Sequence, residues 1–442
     1  MSATDRTLDR FKVDLHRQII ERLDLPRLEQ LGHDQLVRAV HEQTILLLDQ
    51  TPHGLINEVQ RERLIADIRA EVFGIGPLEQ YLNDPTITDI LVNGPERVYI
   101  ERNGQLELTT TRFADEAHLL QVIQRMASRL GRRIDESSAM VDARLPDGSR
   151  VNAVIPPLSL DGPVLSIRRF VHKLNEQDLV ASGTAAPEML ELLRATVMGR
   201  LNLLVSGGTG TGKTTLLNIL SANIPHNERL VTIEDTAELQ LRQPHVIRLE
   251  TRSANVEGAG KVRQRQLVRN SLRMRPDRII IGEVRGPEAI DMLAAMNTGH
   301  EGSMTTIHAN DTRDALSRLE MMVTGGSRNL PLSVTRRQIA SAIDLIIQLG
   351  RLKGGKRRIV RISELVSYQH KEFVVCDLFH FVQTGVTDGH AVGEFHATGH
   401  VPTFLERLEI AGITLPMNLF EARPLSCSRT PQVTDETKKD KR

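Results

Sequence analysis

Tryptophan is absent from the 442 residues, and tyrosine and phenylalanine number only three and ten. The cores must therefore be aliphatic, and base stacking on aromatic platforms is a poor candidate for holding single-stranded nucleic acid. Cysteine occurs twice, at Cys376 and Cys427. Two distant cysteines exclude a disulfide framework and a four-cysteine zinc site, and they fit a reducing cytosol. No apolar run approaches the ~18–20 residues needed to span a bilayer. Met1 to Asp14 is polar and carries acids, which is not the pattern of a signal peptide. The expected location is cytoplasmic, with any membrane association peripheral and made through partners. Excess charge is missing too: 56 basic residues face 56 acidic ones. Nothing global argues for a DNA or anionic-membrane partner.

Charge is uneven locally. Arg252 to Arg278 holds eight Lys/Arg against Glu257 and Asp277, and a second basic group (Arg351, Lys353, Lys356, Arg357, Arg358, Arg361) surrounds Gly354-Gly355. Both read first as solvated faces.

Length suggests two or three domains. Residues 1–72 read as a helical segment, with Val59, Leu64, Ile65, Ile68 and Val72 at helical spacing. Short strand-like runs and turns follow, including Asn103-Gly104 between two runs, a hairpin signal. Residues 73–172 thus read as an α+β domain. The apolar-poor residues 173–187 read as a linker. From Leu201 onward strand and helix patterns alternate, which implies a largely parallel sheet covered by helices. Residues 188–372 are the expected α/β domain, 373–428 a small C-terminal segment and 429–442 a disordered tail.

Gly207-Gly208-Thr209-Gly210-Thr211-Gly212-Lys213-Thr214 fits G-x-x-x-x-G-K-[ST], with a strand entering and a helix leaving. Glycines let backbone N–H groups converge on phosphate oxygens, and the helix N-terminus adds partial positive charge. Lys213 is expected on the β- and γ-phosphates and Thr214 on Mg²⁺, with Thr215 completing the nucleotide contacts. The expected cofactors are ATP and Mg²⁺. Phosphoryl transfer to water also needs a group that polarises the water and a metal clamp. Glu283 ends the apolar strand Arg278 to Gly282 and is the candidate for the water. Glu234 and Glu238 are the candidates for Mg²⁺ or its waters. Many phosphate-loop enzymes place Asp before the catalytic Glu; here Gly282 stands there, so the metal duty shifts toward Glu234.

His300 and His308 flank one strand. Their spacing is not H-E-x-x-H, which argues against zinc, and His308 is the candidate sensor of the γ-phosphate. Arginines stabilise transferring phosphate. Arg144, Arg150, Arg168 and Arg169, and Arg273, Arg275 and Arg285, are candidates. Arg150 and Arg169 are taken as nucleotide contacts and Arg285 as catalytic.

Taken together, the loop, Thr232 to Glu238, Leu272 to Gly286 and Thr298 to Ala309 resemble the Walker A, Asp box, Walker B and His box of type II/IV secretion ATPases. Phe73 to Glu79, Ile87 to Gly94, Arg144 to Asn152, Leu165 to Phe170 and Thr403 to Gly412 are similar to the CpaF branch, which powers tight-adherence (Flp) pili. The resemblance implies a RecA-like ATPase domain behind an α+β N-terminal domain. It also implies a homohexamer, nucleotide between the domains, and an inner-membrane platform protein as partner. The expected function is a motor for pilus assembly or secretion. The alternative is an ATPase for conjugative DNA transfer, against which neutral charge and missing aromatics count. A third reading is a nucleotide-gated scaffold that does not hydrolyse ATP.

Overall fold

A computed structural model describes residues 33–50, 58–102, 104–169, 174–252, 260–326 and 330–425. The expected helices before residue 33, Asn103 of the expected hairpin and the tail from Arg429 lie outside them. The chain divides into two units, Met1–Lys173 and Leu174–Arg442.

In the first unit, helices α1 (His33–Asp49) and α2 (Glu58–Phe73) pack through Val40, Leu47, Leu48, Leu64 and Ile68. A short helix α3 (Glu79–Leu82) leads to six antiparallel strands: β1 (Ile87–Asn93), β2 (Val98–Arg102), β3 (Gln105–Leu108), β4 (Met140–Arg144), β5 (Arg150–Val154) and β6 (Val164–Arg168). Their order is β3-β2-β1-β6-β5-β4. Helix α4 (Glu116–Arg129) is N-capped by Asp115 and buries Leu119, Val122, Ile123 and Met126 with the sheet's apolar face. Buried Glu71 of α2 accepts or shares a proton with His118 Nε2 of α4 at 2.9 Å, which ties the helical pair to the α+β part.

The second unit begins inside the expected linker. Helix α5 (Glu176–Ala181) has a reciprocal cap between Asn175 and Asp178, and α6 (Pro187–Met198) starts on proline. Few residues of 173–187 are apolar, yet Leu179, Ala185 and Ala186 are buried in the core. Burial of three residues, not overall composition, makes this stretch part of the unit.

The central elements are β7 (Leu203–Gly207), α7 (Lys213–Ser221), β8 (Leu230–Glu234), β9 (Val246–Glu250), α8 (Gln264–Ser271), β10 (Arg278–Val284), α9 (Glu288–Asn297), β11 (Met304–Ile307), α10 (Thr312–Gly326), α11 (Leu332–Ala342) and β12 (Leu345–Arg351). Strands run parallel in the order β12-β7-β11-β10-β8-β9. Every residue of β7, β8 and β11 is buried. Strands buried along their whole length belong to sheets covered on both faces. Alternation sorts them: Leu203, Val205, Ile280 and Met304 join α6 and α7 on one face. Leu204, Ile233, Ile279 and Ile281 join α9, α10 and α11 on the other.

The end of the expected α/β domain and most of the small C-terminal segment expected at 373–428 extend this sheet. β13 (Arg357–Gln369), β14 (Glu372–Thr387), β15 (His390–Ala397) and β16 (Arg423–Leu425) add antiparallel neighbours beyond β12. Between β15 and β16, helix α12 (Leu405–Ile410) returns to the core through Phe404 and Leu408. Buried Glu364 of β13 holds this return, accepting from Thr403 N at 2.9 Å and pairing with His400 Nε2 at 3.0 Å.

Candidate nucleotide site

Parallel strands bring their carboxyl ends to one edge, and ligands of open α/β sheets bind there. The loop between β7 and α7 is a tight left-handed cradle: Gly210 has φ 69° and Gly212 has φ 96°. Side chains there would be strained, so glycine permits the curl that turns N–H groups inward. Lys213 Nζ donates to the carbonyls of Gly207 at 2.9 Å and Gly208 at 3.0 Å, folding its cation across the loop's mouth. Burial holds the Lys213 amine below the usual lysine value, while the Glu283 and Glu238 carboxylates oppose that shift and Arg285 adds to it. These groups therefore share one electrostatic neighbourhood.

The strand next but one to β7 delivers Glu283. Register between β10 and β11 shifts between Ile281 and Val284, so Gly282 and Glu283 occupy an irregularity of that pairing. Thr306 Oγ1 of β11 donates to Gly282 O at 2.7 Å and latches the kink. Gln264 Nε2 donates to Glu283 O at 2.9 Å. Glu283 Oε2 accepts from Arg285 Nε at 3.1 Å and Nη2 at 2.7 Å, and Arg285 also lies 3.6 Å from Asp235 Oδ2.

Glu234 closes β8 beside this kink, with Ile233 opposite Ile281. Its Oε1 accepts from Glu238 N at 2.7 Å and Leu239 N at 2.8 Å, whereas its buried Oε2 has no partner among the described residues. Burial pushes its carboxyl up to about 7, against the pull of those two amides. A Cβ on Gly282 would stand 2.9 Å from Glu234 Cγ. The absent aspartate thus has a steric cause: Glu234 occupies the space that a side chain at 282 would need.

His308 follows Ile307, which pairs with Ser206 of β7 and with Val284 of β10. It is half-buried at the same edge. His300 lies at the opposite end of β11, where its buried Nδ1 has no partner among the described residues. The structure therefore brings Gly207 to Thr215, Glu234, Glu238, Glu283, Arg285 and His308 to one edge.

Arg150 and Arg169 belong to the first unit. Arg150 pairs with Asp142 at 2.6 Å across adjacent strands. Arg169 donates to the carbonyls of Tyr81 at 2.9 Å, Leu82 at 2.6 Å and Ile87 at 3.0 Å, and to that of Asp84. Its guanidinium thus fastens the α3–β1 turn.

The family described as Type II/IV secretion system protein matches residues 71–394. This chain belongs to that family. A Mycobacterium tuberculosis protein whose name places it provisionally in conjugal transfer is 41% identical over 307 residues, covering 67% of this chain and 86% of the relative. The type IV secretion protein VirB11 of Brucella suis is 32% identical over 337 residues, covering 68% of this chain and 93% of the relative. The crystal structure of the Brucella suis VirB11 ATPase with sulphate aligns at 30% identity with a TM-score of 0.36, covering 67% of this chain and 97% of that one. Family membership, with the parallel sheet and its phosphate loop, makes the second unit a RecA-like P-loop ATPase domain. The chain is an ATP-hydrolysing secretion ATPase. No helix among the described residues is long and apolar enough to cross a membrane.

Sequence reasoning passed over one part of this edge. Arg357 Nε donates to Gly210 O at 3.0 Å. The only signal for it was a basic cluster next to a Gly-Gly turn, which gives no hint that β12 lies beside β7.

Proposed function

We propose that this chain is a ring-forming motor, six copies of which couple ATP hydrolysis to work on an inner-membrane pilus-assembly or secretion platform. The observation that carries the reading is the convergence of Lys213, Glu283 and Glu234 at one sheet edge around a complete phosphate cradle. In this reading the loop amides and Lys213 hold the phosphates. Glu283 accepts a proton from the attacking water once Arg285 yields its carboxylate, and His308 senses the γ-phosphate.

A hard cation takes oxygen ligands, and the unpartnered buried Oε2 of Glu234 fits that donor set. The Thr214 hydroxyl and Glu234, with Glu238 beside it, would hold Mg²⁺. Bound there, Mg²⁺ supplies charge neutralisation on the phosphates. Separate carboxylates for metal and water explain how the chain manages without an acid at 282.

The decisive measurement is phosphate release at saturating ATP, with light scattering to follow assembly with and without nucleotide. Turnover by the wild type, its loss in Glu283→Gln with ATP still bound, and a particle of six chains are expected. Wild-type turnover in Glu283→Gln would overturn the assigned role, and an ATP-loaded monomer would overturn the ring.

The names of relatives, conjugal transfer and type IV secretion, support a second reading, conjugative DNA transfer, as much as a secretion motor. Duplex DNA that stimulates turnover, with a steep loss of binding as salt rises, would select it.

A further inference from the structure

The second basic cluster is not a uniform solvated face. Arg351 ends β12, and β12 pairs directly with β7, with Leu349 opposite Gly207. Arg357 opens β13, so both arginines emerge beside the phosphate loop. Arg357 Nε donates to Gly210 O at 3.0 Å, and its Cδ lies 3.7 Å from where a Cβ on Gly212 would be. Arg351 Nη1 lies 3.6 Å from where a Cβ on Gly210 would be. Arg351 is exposed and has no ion-pair partner among the described residues.

The turn joining the two arginines is braced from behind. A Cβ on Gly354 would collide with His390 Nδ1 at 2.0 Å and with Gly389 O at 2.9 Å. The β14–β15 hairpin therefore abuts this turn. Arg358, next in line, is buried, lies over Phe381 at 5.9 Å and donates to Ser182 O at 3.0 Å. The C-terminal strands thus set the position of a pair of guanidinium groups against the loop.

A loop whose N–H groups turn inward turns carbonyls outward, where water or a side-chain donor satisfies them. Arg357 is that donor for Gly210. An uncommitted guanidinium beside a cradle for a polyanion has a matching ligand: a planar fork suits phosphate oxygens, and the contact is charge-assisted.

We propose that Arg351 and Arg357 form a basic wall of the nucleotide site. Arg351 contacts the polyphosphate common to ATP and ADP, and Arg357 positions the loop through Gly210. This rests on reading Gly207 to Thr214 as the nucleotide site.

The test uses the full chain, a fluorescent ADP analogue displaced by ADP or ATP, and steady-state phosphate release. Arg351→Ala should weaken ADP and ATP binding and raise KM by about tenfold, with kcat within about twofold, the scale of one lost charge-assisted hydrogen bond. Arg351→Lys should recover about half of that loss on a logarithmic scale, because the charge remains and the fork does not. Arg357→Ala should lower kcat as well as raise KM, because the loop loses its outer anchor. Thermal unfolding without nucleotide checks that the fold persists. If Arg351→Ala proves unstable, Arg351→Gln provides the same binding comparison. ADP and ATP affinities within about twofold of wild type in a folded Arg351→Ala or Arg351→Gln chain would overturn the proposal. Lys213→Ala separates the underlying reading: wild-type turnover in that variant would sink the nucleotide site itself, whatever Arg351 does.

Discussion

In the stretch from Arg252 to Arg278, Arg265, Arg269 and Arg278 reach acids of their own unit, whereas Arg273 and Arg275 stay exposed. In the stretch from Arg351 to Arg361 two arginines turn toward the phosphate loop. Arg278 is fully buried and forks onto Glu228, Nε to Oε2 at 2.5 Å and Nη2 to Oε1 at 3.0 Å, with Nη1 on Val197 O at 2.6 Å. Arg265 pairs with Asp291 at 2.6 Å. Neither charge is available to a ligand. Arg357 and Arg351 instead border Gly210. A cluster of positive charge along a sequence thus serves rigidity in one place and borders a ligand site in another. What decides between them is whether acids of the same unit lie within reach.

The contrast is sharpest between residues of the edge and residues of the scaffold. Glu283→Gln should lower turnover on the order of 10²–10⁴-fold, the range for a lost general base. Lys213→Ala should lower it on the order of 10²–10³-fold, as when a phosphate-side donor is removed. Neither should move the melting temperature by more than about 3 °C, because both groups lie at the rim of the sheet. Phosphate release and calorimetry on the same samples check both halves. Coupled losses of stability and turnover would dissolve the distinction.

Arg278→Met reverses the signature. It leaves buried Glu228 with only the longer pair to Arg200 at 3.3 Å, and breaking a buried pair costs about 3–5 kcal/mol. Thermal unfolding should fall by about 10 °C, while KM for ATP in the folded fraction stays near wild type. A changed KM with unchanged stability would place Arg278 at the ligand instead.

Gly282→Asp tests the crowded edge. Its Cβ would press on Glu234 Cγ at 2.9 Å, which predicts about 1–3 kcal/mol of destabilisation by overpacking and reduced turnover. Restored or raised activity would show that the usual aspartate fits after all. The smallest effect belongs to Arg361→Ala. Its exposed pair with Asp377 contributes below about 1 kcal/mol, and chemical denaturation should place the variant within that margin.

Local patterns made much of the second unit readable in advance. β7, β8 and β10 are largely apolar, and the phosphate loop declares itself because its glycines and lysine are adjacent in the chain. The lack of an acid at Gly282 was also readable, and with it the expectation that separate carboxylates serve metal and water. Other features were hidden because their causes are non-local. Helix α5 lies in an apolar-poor stretch, and three buried residues anchor that stretch to a core formed far away in sequence. The strands after residue 372 looked like a small appendage because their alternating pattern does not name the sheet they join.

Arginines mark the boundary most clearly. Composition showed that Arg169, Arg278, Arg351 and Arg357 are long cations near motifs, and no spacing rule could rank them. The partners of Arg169, Arg278 and Arg357 lie between 24 and 147 residues away in the chain. From sequence alone came the chemistry of the loop, the acids at strand ends and the family they resemble. Folding alone decided which charges are consumed. A guanidinium becomes structural or available according to what the tertiary arrangement sets within hydrogen-bond reach, and in this chain that reach crosses strands rather than running along them.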